Sequence, residues 1–404
     1  MADFHQNGVV ATLHNLRERS LERMEKELSV FSASRPITLI LPSLYSELEA
    51  PALEHIVSEL SQAPYISEIV IGLDQADQEQ FRHAKQYFSR LPQKHTILWH
   101  DGPRLRALDE KLKAEALSPD QPGKGRNVWF CMGYVLAARQ AGVVALHDCD
   151  IVTYSRDMLA RLVYPVAHPR FPYVFSKGYY PRIADRSLNG RVTRLLVTPL
   201  LLSLEKVIGH HPYIDFLKAF RYPLAGEFAM QTQILSDIRI PSDWGLEIGV
   251  LSEMWRNYST QSICQVDIAD AYDHKHQPLS PEDAAKGLSR MSIDITKALY
   301  RKLATDGVVF GNDAFRTLKA TYYRTALDLV ETYYHDARMN GLTTDRHREE
   351  QAVELFAANL IEAGQVYLDN PNATPFMPSW NRVQAALPDL LRDIQDAARL
   401  DAEA

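Results

Sequence analysis

Apolar residues set a helical period at the start of the chain. Val10, Leu13, Leu16, Leu21, Met24, Leu28 and Phe31 fall three to five positions apart with Arg and Glu between them, which predicts an amphipathic helix over residues 8–32. From Ile37 the pattern changes. Ile37-Thr38-Leu39-Ile40-Leu41 reads as a strand, and Pro42-Ser43-Leu44 as a turn. A helix is expected over Ala52 to Leu60, then a strand from Ile66 to Leu73 that closes on Asp74. Gln78 to Leu91 reads as helix, Thr96 to Trp99 as strand and Arg104 to Ala116 as helix. A loop over residues 118–125 opens a helix from about Arg126 to Arg139, and the short apolar run Val143 to Leu146 follows. Strands alternating with helices imply a mostly parallel sheet with helices on both faces.

Beyond Phe171 the pattern is mixed. Tyr173-Val174-Phe175 and Ser262 to Ile268 look like strands, and Thr193 to Val207 looks helical. After Pro281 the chain is helix-rich, with long periodic stretches at Ile293 to Ala304, Ala314 to Asp336 and Arg348 to Ala363. The division expected is an N-terminal helical segment over 1–35, an α/β domain over 36–280 and a helical C-terminal region over 281–404. The α/β domain itself divides into halves of about 36–150 and 151–280.

Composition narrows the class. With 404 residues, 46% of them hydrophobic, the chain can bury a large core. A net charge of −7 without a long basic block argues against nucleic acid as a partner. Cys131, Cys149 and Cys264 are odd in number and far apart, which fits reduced thiols and a cytoplasmic location. The N-terminus begins polar without the apolar core of a signal peptide, and no run is long enough to span a bilayer.

The densest chemistry follows the run Val143 to Leu146. Alternate side chains of an extended segment share a side, so Asp148 and Asp150 converge while Cys149 turns away. Paired hard oxygens suit Mg²⁺ or Mn²⁺, and such an ion commonly also binds substrate phosphates. The bland alternative is an Asp-rich turn capping the next helix. Gly123-Lys124-Gly125 precedes a helix, where backbone N–H groups attract anions and Lys124 adds a charge. Pro42-Ser43-Leu44 and Asp74 end early strands on the edge where α/β sheets hold ligands, and Glu47 follows at the next helix start. His274 and His276 flank Lys275, and an imidazole from a distant loop is a plausible further metal ligand. Arg182, Arg186, Arg191 and Arg194 surround Asn189-Gly190, offering planar forks to phosphate or carboxylate, or merely a solvated basic helix start. Glu227 is expected in a turn, and Asp243 and Glu247 lie beside glycines. Each of these is either a sugar-hydroxyl acceptor or a helix cap.

These pieces together resemble the glucosyl-3-phosphoglycerate synthases and related retaining glycosyltransferases (glycosyltransferase family 81). More distantly they resemble the mannosylglycerate synthases. The resemblance runs from about Ile37 to Leu279 through ordered short motifs: Pro42-Ser43-Leu44, Gly123-Lys124-Gly125, Asp148-Cys149-Asp150, Lys177 with Tyr180 and Arg182, Gly190-Arg191-Val192-Thr193, Pro223-Leu224-Ala225-Gly226-Glu227, Gly245-Leu246-Glu247-Ile248-Gly249 and His274. It implies a glycosyltransferase-A (Rossmann-like) fold, a nucleotide-sugar donor and a divalent cation. By the same resemblance Asp150 and His274 hold the metal, and Asp148 either shares it or grips the nucleotide ribose. Pro42, Leu44, Glu47, Asp74, Lys124 and Asp148 line the donor site. Gly190, Arg191, Thr193 and His276 line the acceptor site. Glu227 binds sugar hydroxyls, and with Asp150 and Lys124 it forms the catalytic set. Three positions depart from the family: Tyr45-Ser46 precede Glu47 where acidic residues are usual, His276 stands for an Asn, and the glycine run before Arg191 is reduced to Asn189-Gly190. The last two bear on the acceptor more than on the fold.

The expectation is a cytoplasmic, homodimeric, Mg²⁺- or Mn²⁺-dependent retaining glycosyltransferase. It moves glucose from UDP-glucose or GDP-glucose to 3-phosphoglycerate, with no nucleic acid and no membrane span. The alternatives are mannosyl or glucosyl transfer to free glycerate or another small hydroxy acid, a sugar-phosphate nucleotidyltransferase, and a catalytically silent nucleotide-sugar-binding module.

Overall fold

The computed structural model describes residues 6, 8–118, 123–274, 287–371 and 376–404. Its strands, in chain order, are β1 (Ala11–Leu13), β2 (Ile37–Leu44), β3 (Ile66–Asp74), β4 (Lys94–Trp99), β5 (Val143–Leu146), β6 (Phe175–Tyr179), β7 (Ile183–Ala184), β8 (Ser187–Leu188), β9 (Phe228–Gln231) and β10 (Ile263–Asp267). The helices up to residue 257 are α1 (Leu21–Ser32), α2 (Pro51–Ser61), α3 (Gln78–Phe88), α4 (Pro103–Ala114), α5 (Lys124–Ala138), α6 (Arg156–Ala167), α7 (Thr198–Ile208), α8 (Pro212–Ala219) and α9 (Leu246–Asn257). Then follow α10 (Gly287–Thr305), α11 (Asn312–Met339), α12 (Arg346–Asp369), α13 (Trp380–Ala386) and α14 (Leu390–Glu403).

One sheet runs in the order β1-β10-β6-β9-β5-β2-β3-β4. Every neighbouring pair is parallel except those made by β9, which is antiparallel to both β5 and β6. Alternation along the strands feeds two cores. Ile37, Leu39 and Leu41 pack with α1, α2, α3 and α6, while Ile40, Val144 and Leu146 pack with α4, α5 and the later helices. This is the expected layered α/β architecture. Because β9 runs backwards, its first residues reach the edge where the parallel strands have their carboxyl ends. Glu227, immediately before β9, therefore joins the residues that follow β2, β3 and β5.

Residues 8–32 differ from the single helix expected. β1 pairs with the free edge of β10, and α1 begins only at Leu21, with the Ser20 hydroxyl accepting from the Arg23 amide. Arg17 between them has φ 58°, outside helical backbone. The early apolar spacing serves a sheet edge, and Leu16 is left exposed. Pro42-Ser43-Leu44 does not turn either. It continues β2 against Gly72, Leu73 and Asp74, and the bend comes in the 3₁₀ turn Tyr45–Glu49. Proline is tolerated there because its missing donor falls near the strand's end.

The C-terminal helices pack onto the sheet domain at several places. α11 lies on α7 and α12, α10 on α9 and α12, and α14 on α4, α5 and β4. Trp380 stacks on Trp129 of α5 with ring centroids 3.9 Å apart, and the Trp129 indole donates to the Pro378 carbonyl at 2.8 Å. Gly133 is required beneath this stack, since a Cβ there would lie 2.2 Å from the Trp380 ring. Arg104 pairs with Asp401, and Lys111 with Asp393 at 3.0 Å. Among the described residues no helix is long and apolar enough to cross a membrane. Truncating a buried tryptophan typically costs about 3–5 kcal/mol. Trp380→Ala should lower the unfolding free energy by that amount, read as a lower denaturant midpoint at unchanged slope, and an unchanged midpoint would show that this contact does not hold the C-terminal region in place.

Candidate active site

Lys124 is the first residue of α5, and the glycines on either side let the loop approach another chain segment. A Cβ on Gly123 would lie 2.2 Å from the Ser242 carbonyl oxygen, and one on Gly125 1.9 Å from that of Pro241. The glycines thus serve backbone-on-backbone packing. That packing aims Lys124 Nζ at Asp148 Oδ1, 2.6 Å away, and at Glu247 Oε1, 3.1 Å away. Gly226 makes room on the far side, where a Cβ would lie 2.5 Å from Asp148 Oδ2.

Charge is unevenly matched here. Burial disfavours the Lys124 ammonium, but the Asp148 and Glu247 carboxylates outweigh it and hold the lysine protonated well above its ordinary range. Burial likewise works against Asp148, and Lys124 more than offsets it, so its pKa is lowered. Among the described residues Asp150 has no such ammonium partner. Burial and then the Asp148 charge push it up to about 7. An isolated bridge between Ile151 and His274 brings the His274 ring to the same place, with Nδ1 3.8 Å from Asp150 Oδ2. That is too long for a hydrogen bond. It is close to the separation of about 3 Å expected for two ligand atoms each about 2.1 Å from one octahedral ion. Two carboxylates and an imidazole, carrying surplus negative charge, suit Mg²⁺ or Mn²⁺. Another acidic group, Glu205, His210 and Asp215, lies on the surface, where Lys218 already neutralises both carboxylates at 2.8 and 3.1 Å.

Asp74 ends β3 beside a cavity of about 290 Å³ lined by His100, Asp101, Arg126, Asn127 and Phe130. His100 Nδ1 lies 3.0 Å from one carboxylate oxygen, and Asn127 donates to the other at 2.8 Å. Burial opposes the Asp74 charge, but His100 and these hydrogen bonds lower its pKa on balance. Pro42 lies in β2 and the exposed Leu44 ends it, while Glu47 is buried in the 3₁₀ turn that follows.

On the opposite flank Gly190, with φ 76°, opens the π-helical turn Val192–Val197 that leads into α7. Arg191 is half-buried, and among the described residues its Nε and the Thr193 hydroxyl have no hydrogen-bond partner. Burial, and then the charge of Arg348 on α12, depress the Arg191 pKa. Arg194 has a different task. Its guanidinium grips Glu349 at 2.6 and 3.4 Å, both side chains being buried, and it also donates to the Asn189 and Leu188 carbonyls. The β7–β8 hairpin turns at Asp185 and Arg186, both with positive φ, and Ser187 bridges Thr343. The segment linking α11 to α12 thus supports the wall that carries Arg191.

Glu227, expected in a turn, stands immediately before β9 and is fully buried. Tyr180 and Tyr272 donate to its two oxygens at 2.5 and 2.8 Å, and their rings stack 3.8 Å apart. Asp243 is a local cap, accepting from the Gly245 amide at 2.9 Å, whereas Glu247 reaches the site through Lys124. Lys177, which the motifs name only beside Tyr180 and Arg182, is a buried cation in its own right. It is 1% exposed in β6, donates to the Ala225 carbonyl at 2.5 Å and lies over the Phe228 ring. A lysine inside an apolar strand was the available signal. His276 lies outside the described residues.

The acidic edge, reached by a reversed strand in an otherwise parallel sheet, defines a glycosyltransferase of the GT-A class. Solved structures with this fold include mannosyl-3-phosphoglycerate synthase from Rubrobacter xylanophilus (TM-score 0.55, 19% identity, covering 74% of this chain and 83% of that one). Another is glucosyl-3-phosphoglycerate synthase from Mycobacterium tuberculosis in complex with Mn²⁺, uridine diphosphate and glucosyl-3-phosphoglycerate (TM-score 0.52, 21% identity, 72% and 87% covered). No family model matches the chain. Glucosyl-3-phosphoglycerate synthase from Persephonella marina is 46% identical over 390 residues, 96% of each chain. That from Methanococcoides burtonii is 38% identical over 404 residues, 99% of this chain and 98% of the relative. The chain belongs to the glucosyl-3-phosphoglycerate synthases.

Burial depresses the Lys177 pKa to about 8, against an ordinary value near 10.4 when unfolded. Between those values the unfolded chain binds the extra proton, so this group makes stability rise with pH from about 8 to about 10. Lys177→Met should lack that increment when urea melts of the two proteins are compared across the window. Parallel pH profiles would mean that the amine stays protonated in the folded protein across the window, its charge compensated by neighbouring groups.

Proposed function

We propose that this chain transfers a glucosyl group from UDP-glucose or GDP-glucose to 3-phosphoglycerate, with retention at the anomeric carbon and with Mg²⁺ or Mn²⁺. The observation that carries this reading is the Lys124–Asp148 pair beside an uncompensated Asp150 and His274 at the carboxyl edge of the sheet. Asp148, Asp150 and His274 are the residues that would hold the cation. Bound there, it supplies positive charge for the donor's diphosphate. Pro42, Leu44, Glu47 and Asp74 line the nucleoside side, and Asp74, fixed by His100 and Asn127, offers carboxylate oxygens to a base N–H.

Lys124 stands where charge develops as the sugar–phosphate bond breaks, and its ammonium is already fixed by Asp148 and Glu247. The acceptor's single hydroxyl forms the new bond to the anomeric carbon from the face that the diphosphate leaves with the bonding pair. The hydroxyl proton passes to a diphosphate oxygen. Glu227 supports this front-face course. With both oxygens taken by phenols it is not poised as a covalent nucleophile, and its part in the catalytic set is to hold Tyr180 and Tyr272 and to add negative charge beneath the sugar. Gly190, Arg191 and Thr193 receive the acceptor phosphate, a role supported by the unpartnered Arg191 Nε and Thr193 hydroxyl. His276 completes the acceptor set by motif.

The reading also places the enzyme in the cytoplasm, supported by three buried free cysteines. It includes a homodimer formed through the C-terminal helices, supported by the exposed Val309 and Met339. Light scattering should then return twice the 45.9 kDa chain mass.

Mn²⁺ titration by calorimetry should show binding to the wild type that Asp150→Ala loses, with activity abolished by chelator and restored by Mn²⁺ or Mg²⁺. Retained Mn²⁺ affinity in the variant would move the ion elsewhere. A panel of UDP-, GDP-, glucosyl and mannosyl donors against 3-phosphoglycerate and glycerate, with products weighed by mass spectrometry, tests the reaction itself. Glucosyl-3-phosphoglycerate is the product expected. Removing the acceptor phosphate leaves the Arg191 site unpaired, so glycerate should be poorer by about tenfold to a hundredfold in kcat/KM. Equal use of glycerate, with Arg191→Ala harmless, would overturn the acceptor assignment.

A further inference from the structure

Arg182 lies between β6 and β7, only 8% exposed, and among the described residues no carboxylate pairs with it. Its Nη1 meets the Tyr222 hydroxyl at 3.3 Å and His274 Nε2 at 2.6 Å. Its guanidinium carbon sits 5.3 Å from the centre of the Tyr272 ring, and its Nε is buried with no acceptor. Neutral partners do not offset the cost of removing a guanidinium from water. Arg194, twelve positions on, shows what the same stretch does when the charge is structural: its fork closes on Glu349. Among the described residues Arg182 has no such anion of its own.

Its position says which anion is missing. The side-chain stem lies against Gly190, where a Cβ would come within 3.3 Å of Arg182 Cβ and Cγ, and the Asn189 amide donates to the Arg182 carbonyl at 2.7 Å. One flank of Arg182 is therefore the turn that bears Arg191 and Thr193. The other is His274, across from Asp150. The acceptor proposed above has the same polarity. Its phosphate lies at one end and its carboxylate at the other, attached to the carbon that carries the attacking hydroxyl. With the phosphate at Arg191, the carboxylate falls toward the reacting end, where Arg182 stands. A planar guanidinium matches a carboxylate with two parallel hydrogen bonds.

We propose that Arg182 binds the carboxylate of the acceptor and so selects a 2-hydroxy acid over an alcohol of the same size. This rests on 3-phosphoglycerate being the acceptor. The probe pair is 3-phosphoglycerate and glycerol 3-phosphate, which keeps the phosphate and the neighbouring hydroxyl but replaces the carboxylate with a hydroxymethyl group. Each is titrated by calorimetry into enzyme saturated with Mn²⁺ and UDP. Losing one charge-assisted contact corresponds to about tenfold to a hundredfold in affinity. Arg182→Gln should lose that factor for 3-phosphoglycerate while glycerol 3-phosphate and UDP bind as before, so that the preference between acceptors collapses. Arg182→Lys, which keeps the charge without the fork, should fall between, and it carries the test should the Gln variant fail to fold. An equal loss for both acceptors would make Arg182 a mere support for His274. A loss confined to UDP would assign it to the donor diphosphate. Either result overturns the proposal. Failure of the wild type to bind 3-phosphoglycerate would instead overturn the acceptor reading on which it rests.

Discussion

A surplus of negative charge, buried or half-buried, at one edge of the sheet is the constraint from which the rest of the site follows. Asp148, Asp150, Glu227 and Glu247 converge there, and a single ammonium, that of Lys124, is directly bonded to two of them. That ammonium joins the end of β5, the start of α5 and the start of α9. The contact is possible only because Gly123, Gly125 and Gly226 let backbone and carboxylate come closer than any side chain would permit. Such an edge is costly alone and favourable once a cation and a diphosphate share it. The same electrostatics therefore govern both the shape of the resting site and its appetite for ligand.

How much of this the sequence discloses depends on whether a signal is local. The layered α/β order, the alternation of Ile37 to Leu41 and the Asp148–Asp150 pair are local, and the structure has them where periodicity put them. β9 was not legible, because Phe228 to Gln231 is short and buried on both faces and so shows no alternation. Met158, Leu159, Leu162, Val163 and Val166 of α6 carry a helical stripe, but Pro165 inside it disguises the pattern. β1 carries the spacing of a helix, because edge pairing with β10 is a long-range event that spacing does not encode. The same holds for Glu227, whose burial depends on two tyrosines 47 and 45 positions away.

Arginines within one short stretch meet different fates. Arg194 is consumed by Glu349 and by two carbonyls, Arg191 keeps an unpartnered Nε, and Arg182 is buried among neutral partners. Sequence proximity treated them as interchangeable members of a basic cluster. What separates them is the counterion each finds after folding, and for Arg194 it comes from a helix more than 150 positions downstream. Functional arginines in a set like this are recognised by the bonds they lack.

The C-terminal segment touches the molecule at two distant places, through Trp380 and α14 on the α4–α5 side and through Glu349 on the wall beyond β6. It therefore acts as a strap across the two flanks of the cleft. A strap of this kind opposes hinge opening between the flanks. It also couples the flanks thermodynamically, because unfolding either one strips an anchor from the other. Heat should then take the enzyme apart in a single cooperative step, and its working lifetime is set by the barrier to that step.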